Sequence, residues 1–326
     1  MVESVNQRLK LLYLRDYLLN NTNSEKSVTR KDIENHLGNY DIKFTRQTLH
    51  NDILLLRDYG MDIKMEMIKN KGHYKVITRN FDTKDLELLI GSVQACKFIT
   101  QEKADELTKK LKNLVSGYDK RILNKQNYIS IPRSTNNNIF NYIDKIQDSI
   151  SNNMYISFKY FHINEKKKAV YNKKLITLLP IACVWNDYNY YLIGYHGETL
   201  KHYRVDRMDE VEVFGLFWEK EEIDIQKYVK KLFSMFRGRA EYVHLRFSNY
   251  LADVVFERFG KDIHVELDGK SHFTVVVDVE VSEKFFAWLC GFGKGVVIKS
   301  PEHVVEEMAK YVSGISNMYR KYKYRK

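Results

Sequence analysis

Apolar and aromatic positions alternate with polar ones in two runs near the middle of the chain: Tyr190-Tyr191-Leu192-Ile193-Gly194-Tyr195-His196 and His202-Tyr203-Arg204-Val205-Asp206-Arg207-Met208. A period of two predicts strands, and Gly197-Glu198-Thr199 between the runs is a turn signal, so the pair reads as a hairpin. Towards the N-terminus the period lengthens to that of a helix. Leu9, Leu12 and Leu19 predict a helix over 5–19. After a break at 24–27, Thr29 and Asp32 form a Thr-x-x-Asp capping box that opens a short helix through Leu37, with Gly38 as a left-handed stop.

Thr45 is the next N-cap. Leu49, Ile53 and Leu56 follow at spacings of four and three and predict one buried stripe. Gln47, His50, Asn51 and Leu54 then fall on the opposite face, Arg46 and Thr48 flank the first turn, and Gly60 closes the helix. Runs at 63–68 and 73–77 around Asn70-Lys71-Gly72 read as a hairpin with a glycine-bearing turn and a basic tip. Two short helices, a turn, a longer helix with a polar N-terminal face and a hairpin make a winged helix-turn-helix.

Thr83 caps a periodic helix carrying Leu86, Leu89, Ile90 and Val93, and a second helix over 102–115 carries Leu107, Leu111 and Leu114; together they form a helical spacer. The polar stretch at 133–138 is the clearest domain boundary. Beyond it a helix over 139–150 and about five short strands, one interrupted by Pro180, predict a small, partly open barrel of SH3-like or Sm-like kind. A linking helix over 224–236 ends at Gly238, and from 240 onward the order β-α-β-β-α-β is ferredoxin-like. The expected fold class is therefore α+β and multidomain, with a winged helix over 1–80, a helical spacer over 81–133, a barrel over 139–218 and a ferredoxin-like domain over 240–326.

Composition narrows the partners. Over 326 residues, 53 Lys and Arg against 42 Asp and Glu leave a net charge of +11, which favours a nucleic acid or another anionic surface. Cys96, Cys183 and Cys290 are far apart and odd in number, matching neither a disulfide framework nor a metal clip and pointing to a reducing cytoplasm. The start lacks the apolar core of a secretory signal, and no apolar run is long enough to cross a bilayer, so no membrane is expected as partner. His162, His196 and His202 have no zinc-like spacing, so no metal is expected. Gly291-Phe292-Gly293-Lys294-Gly295 runs from helix into strand, the reverse of a phosphate loop, and reads as a helix end and turn. The tail at 319–326 interleaves cations with tyrosines and suits either a nucleic-acid contact or a solvated helix end. No nucleophile elbow, metalloprotease motif, phosphate-binding lysine motif or paired carboxylates are present, so neither an enzyme nor a cofactor is expected.

The 190–208 hairpin resembles the signature of WYL-domain proteins, in which a Trp-Tyr-Leu strand precedes an Arg-x-x-x-Arg-like strand. Tyr190 stands at the tryptophan position here, keeping the ring and losing the indole donor. The first domain resembles the winged helix of DeoR-like and WYL-containing regulators. Their recognition helix usually carries an Arg-Thr-x-Arg-Arg-Asp pattern, where this chain has Gln47-Thr48-Leu49-His50-Asn51-Asp52. Phe285-Phe286-Ala287-Trp288-Leu289, Phe292-Gly293 and Pro301 resemble the WCX extension that follows WYL domains, implying a C-terminal dimerisation domain over 240–326.

The resemblance implies a sequence-specific DNA-binding transcriptional regulator that senses a nucleotide or short nucleic-acid effector through its WYL domain. Gln47, Thr48, His50 and Asn51 would read the major groove of double-stranded DNA, and Arg46, Lys69, Lys71 and His73 would hold phosphates. Asn pairs bidentately with adenine, so the replacement of arginines by His50 and Asn51 predicts an A·T-leaning site. Tyr160, Lys174, Tyr191, Tyr203, Arg204 and Arg207 would converge on the effector, tyrosines stacking and guanidinium groups gripping phosphate. Arg204 and Arg207 are an odd number apart and point to opposite faces of a regular strand unless a bulge intervenes, and pairing with Asp206 or Glu210 is the competing role. A homodimer is expected, since one winged helix contacts few base pairs. The first alternative is a protein that binds single-stranded or structured nucleic acid and has no promoter target, and the second is a nucleotide-dependent enzyme.

Overall fold

The computed structural model describes residues 5–126, 131–215 and 223–323. The end of the expected barrel at 216–218 and the last three residues of the basic tail lie outside these. Helix and sheet are mixed, as expected, and the chain divides into two compact units, 1–137 and 138–326.

In the first unit, α1 (Val5–Arg8) and α2 (Lys10–Asn21) replace the single helix expected over 5–19. The break at Leu9 resets the buried stripe: Leu14 and Leu18 are fully buried, whereas Leu9 and Leu12 are exposed. β1 (Val28–Thr29) leads into α3 (Arg30–Gly38), which Thr29 and Asp32 cap reciprocally. Gly38 is not the left-handed stop. It stays helical, and the backbone turns left-handed at Asp41, φ 59°. α4 (Arg46–Asp58) starts at a second box made by Thr45 and Thr48, buries Leu49, Ile53 and Leu56, and ends before Gly60 at φ 107°. β2 (Ile63–Ile68) and β3 (Lys71–Val76) complete a three-stranded sheet in the order β1-β3-β2. Their turn is Lys69-Asn70, both left-handed at φ 48° and 59°, so the two-residue primed turn uses Asn70 and Gly72 is left inside β3, paired with Met67.

Three further helices belong to the same unit: α5 (Thr83–Ala95), α6 (Gln101–Lys112) and α7 (Gly117–Leu123). Asp82, not Thr83, caps α5, because its carboxylate reaches the Asp85 N–H while Asp85 returns the bond. Leu86 and Ile90 of α5 bury against Val115 and Leu123, so the unforeseen α7, capped by Ser116, supplies part of the partner surface. α6 turns Ala104 and Thr108 inward and leaves Leu114 beyond it exposed. Asn23 donates to Asp119 at 2.7 Å, and Arg79 donates to the Leu19 and Thr22 carbonyls, satisfying the C-terminal end of α2. Arg133 donates to Gln101 and to the carbonyls of Gln94 and Cys96, which fixes the start of the 133–138 stretch.

In the second unit, α8 (Ile139–Ser151) precedes β4 (Tyr155–Ile163), β5 (Ala169–Tyr171), β6 (Ile176–Asn186), β7 (Asn189–His196), β8 (Thr199–Arg204) and β9 (Met208–Phe214), and packs on β4, β6 and β9. The strands form one six-stranded sheet, β5-β4-β6-β7-β8 with β9 on β4, curled into a half-barrel. Pro180 marks a bulge in β6. Pairing with β4 ends at Leu178, so its missing N–H interrupts no ladder on that side. Opposite it, Gly194 lies so close to β6 that an added Cβ would meet the Leu179 carbonyl oxygen at 2.5 Å.

α9 (Ile225–Lys231) starts at Asp224 as expected but stops five residues short of 236. Ser234 and Met235 turn left-handed, φ 50° and 58°. Leu232 and Met235 bury against Ile193 and Leu200 of the half-barrel, while Phe233 enters the following core. A continuing helix could not deliver neighbouring side chains to both. That following core belongs to β10 (Arg239–Ser248), α10 (Ala252–Phe259), β11 (Val265–Asp268), β12 (His272–Val281), α11 (Glu283–Cys290), β13 (Val296–Ser300) and α12 (Glu302–Lys323). Its antiparallel sheet runs β11-β12-β10-β13, and α11 ends at Gly291 before the short Gly293–Gly295 turn.

Candidate functional site

The capping box and the buried stripe of α4 leave its N-terminal turns uncovered. Arg46, Gln47, Thr48, His50 and Asn51 are all exposed within the first unit. They are not equally available. The Thr48 hydroxyl accepts from the Thr45 N–H at 2.7 Å and donates to the Thr45 carbonyl, so it serves the cap. The Gln47 amide donates to the Asn51 side-chain oxygen at 3.2 Å, presenting two neighbouring amides as one polar edge. Asp52, on the inner face, is buried in an ion pair with Lys10 at 2.8 Å that joins α4 to the first residue of α2.

Lys69 and Lys71 are exposed at the hairpin turn. His73 is not at the tip. It lies on the central strand, partly buried, with its Nδ1 3.0 Å from the Ser27 hydroxyl. Met65, Met67 and Ile68 on the edge strand β2 are exposed, so the hairpin is apolar along one side as well as basic at its end.

In the second unit the predicted hairpin is present, with a two-residue turn at Gly197-Glu198 and Thr199 already in β8. β8 stops at Arg204, however, and Val205–Arg207 make a tight 3-10 turn before β9. That turn separates the two arginines. Arg204 donates through Nε and Nη2 to the Asp206 carboxylate at 3.0 and 2.8 Å, and through Nη2 to the buried Asn189 at 2.7 Å. Burial alone would lower the pKa of Arg204, but the Asp206 carboxylate outweighs it and raises it. Arg207 has no hydrogen bond or ion pair among the described residues and is half-buried.

Tyr160 and Tyr203 pack edge to face at 5.1 Å over the buried ring of Phe158. The Tyr160 hydroxyl accepts the Arg204 backbone N–H at 3.2 Å. Burial pushes the Tyr160 phenol above its ordinary pKa against the pull of that N–H and of Arg207, so it remains a hydroxyl that can donate. Tyr191 lies directly across from Arg204, on the face that α9 and the residues after it cover, one position out of phase with Tyr203. Lys174 is exposed in the loop before β6 and makes no hydrogen bond or ion pair among the described residues. The structure thus joins Tyr160, Tyr203 and the neighbourhood of Arg207, assigns Arg204 to the framework, and leaves Tyr191 and Lys174 apart from the ring pair.

Two groups escaped sequence reasoning. Asn189 orients Arg204, and its signal was only an asparagine at the mouth of a strand. Asp209 accepts hydroxyls from Tyr142 and Tyr171 at 3.0 and 2.9 Å; burial would raise its pKa, yet these bonds lower it. Among the expected non-ligand histidines, His196 is hydrogen-bonded to the Thr177 carbonyl at 2.7 Å. His202 bridges β8 and the segment around α9, with Nδ1 donating to the Met235 carbonyl and Nε2 facing the Tyr228 hydroxyl, both at 2.9 Å. Among the described residues no group of three His, Cys, Asp or Glu side chains could hold a metal, and no helix is long and apolar enough to cross a membrane. A cleft of about 880 Å³ lies in the first unit, between Arg15 and Tyr59 on one side and Phe81 and Leu114 on the other.

The WYL domain family profile matches residues 141–213, which contain the half-barrel, the ring pair and both arginines. The chain therefore carries a WYL domain over these residues. A WCX domain profile matches residues 239–316 behind it. In this WYL domain the residue at the signature's first position, Tyr190, lies across from Trp185, with the two rings 5.2 Å apart. No curated protein matches the chain. Among solved structures it is similar to proteasome accessory factor B/C (PafBC) of Arthrobacter aurescens, at 15% identity and a TM-score of 0.29, covering 94% of this chain and 46% of that one. It is also similar to a CRISPR Cas-related protein, at 18% identity and a TM-score of 0.36, covering 74% and 75%. The WYL-domain chain therefore spans less than half the length of the first of these.

Proposed function

We propose that this WYL-domain protein is a cytoplasmic, sequence-specific regulator of transcription that binds double-stranded DNA as a homodimer and responds to a nucleotide or short nucleic-acid effector. The observation that carries this reading is the uncovered N-terminal face of α4, where Arg46, Gln47, His50 and Asn51 stand exposed in the same unit as the basic turn at Lys69 and Lys71. Three helices and a hairpin arranged in this order make a winged helix-turn-helix. Its α4 would enter the major groove, with His50 and the Gln47–Asn51 edge reading bases and Arg46, Lys69 and Lys71 holding phosphates. Amides favour adenine, which supports an A·T-leaning site.

In the WYL domain, the Tyr160–Tyr203 pair offers a stacking face and Arg207 an uncommitted guanidinium for phosphate. The effector would have to bind DNA-competent and incompetent arrangements with different affinity, since otherwise it could switch nothing. We propose no catalytic role and no cofactor.

Selection of bound duplexes from a random pool, repeated at several salt concentrations, tests the reading. A sequence preference that persists as salt rises is the expected result. Binding that vanishes uniformly with salt, together with tighter binding to single strands, would replace it with the single-stranded or structured nucleic-acid binder.

A further inference from the structure

The last helix carries apolar residues at Val305, Met308, Val312, Ile315, Tyr319 and Tyr322, spaced three, four, three, four and three apart. That is an unbroken heptad stripe, the pattern of a helix that pairs with another helix. Its own domain does not use most of it. Val304 is buried and Met308 and Tyr311 are partly buried against the domain core, whereas Val312 and Ile315 are exposed and Tyr319 and Tyr322 are 74% and 80% exposed. The two tyrosines also lie beyond the matched WCX region, which ends at 316. Beside the helix runs an apolar groove of about 320 Å³ whose lining includes Leu289, Val297, Val305, Met308 and Val312.

We propose that α12 is the seam of a twofold dimer, packed antiparallel against α12 of a second copy. The proposal rests on the homodimer in the preceding section and assigns its contact. Charge fixes the direction. The first turns carry Glu302, Glu306 and Glu307, and the last turns carry Arg320 and Lys321. Parallel copies would set like charge against like, while antiparallel copies set acidic turns against basic ones.

Only one register aligns all six stripe residues, with Val312 opposite Ile315, Met308 opposite Tyr319 and Val305 opposite Tyr322. It brings Glu306 to the same flank and level as Arg320 of the second copy, and neither has a hydrogen bond or ion pair among the described residues. It also delivers the exposed tyrosine rings to Val305 and Met308, where the groove lies. Ala309 and Ser316, small residues beside the seam, let the backbones approach.

Sedimentation equilibrium on the full chain tests this. The unaltered protein should be dimeric at micromolar concentration, and Ile315→Glu or Tyr319→Glu should raise the dimer dissociation constant about tenfold or more, since each buries a charge where a central apolar contact stood. Both sites are solvent-exposed in the single chain, so the far-ultraviolet circular dichroism spectrum should be unchanged, and the melt should fall no further than that of wild type diluted until it is monomeric. Direction is read by cysteine pairing in a Cys290→Ser background: Val305→Cys chains mixed with Tyr322→Cys chains should cross-link, and Val305→Cys chains alone, whose two cysteines would lie about 25 Å apart along the seam, should not.

A monomeric wild type, a dimer indifferent to both glutamates, or self-linking of Val305→Cys would overturn the seam. Sequence-specific duplex binding by an Ile315→Glu dimer would sink the seam and spare the regulator. A seam that behaves as stated in a protein without duplex preference would do the reverse.

Discussion

Arg204 holds both carboxylate oxygens of Asp206, two residues further along, across the turn that ends β8. The pair is largely enclosed, with the Asp206 side chain only 9% exposed. This bond divides two arginines that looked equivalent in sequence, one bracing the turn and the other left for a ligand.

The division predicts opposite phenotypes. Arg204→Ala or Asp206→Ala should destabilise the chain by roughly 2–3 kcal/mol, because each strands a buried charged partner. Arg207→Ala should leave the melting temperature within a degree or so and weaken binding of a short oligonucleotide by about tenfold, the scale of a lost charge-assisted contact. Thermal melts paired with fluorescence anisotropy read both; equal losses of stability from Arg204→Ala and Arg207→Ala would refute the division.

At the proposed DNA face, His50→Ala and Asn51→Ala should flatten sequence preference without lowering stability, as both side chains are exposed. Lys69→Ala and Lys71→Ala should instead weaken every duplex alike and reduce the salt slope by about one each. Competition binding against point-substituted duplexes separates the classes. Preference retained in both the His50 and Asn51 variants would remove α4 as the reader.

The His202 bridge should be acid-sensitive. Burial foremost, with Arg237 nearby, lowers its pKa below the ordinary 6.5, although the Met235 carbonyl bond and Glu280 pull upward. Neutral His202 therefore stabilises the fold fully above about pH 6.5. Below that, the unfolded chain takes up the proton first, and the contribution is lost as pH falls towards the folded-state value. Melts from pH 8 to pH 5 should decline more steeply for wild type than for His202→Gln, and parallel curves would show that the imidazole does not titrate with folding.

Gly238→Ala should destabilise the second unit severely. Its N–H donates to the buried Glu280 at 2.8 Å, and a Cβ there would collide with the Val281 carbonyl. A soluble variant with an unchanged melt would contradict that close approach.

Much of the local structure was legible because it depends on neighbours in sequence. The box at Thr29, the N-cap at Thr45, the stripe Leu49-Ile53-Leu56 and the order of elements after 239 follow from spacing and capping chemistry. Where reading failed, a distant partner set the outcome. Leu9 and Leu12 fit a helical period, yet the break before Lys10 lets Leu14 and Leu18 take the inner face. The helix expected over 224–236 stops at Lys231 because its continuation must feed two cores.

The candidate sites divide along the same line. By itself the sequence determined which residue types were at hand: a polar-faced helix after a cap, a basic hairpin, tyrosines and arginines on neighbouring strands, and a net positive charge. Only the tertiary structure decided which were free to act. It spent Thr48 on the cap, His73 on Ser27 and Arg204 on Asp206, tied Asn51 to Gln47, and left His50 and Arg207 open. The physical reason is that a local pattern fixes the direction of a side chain, whereas its remaining valence for hydrogen bonds and charge depends on groups the fold brings from elsewhere.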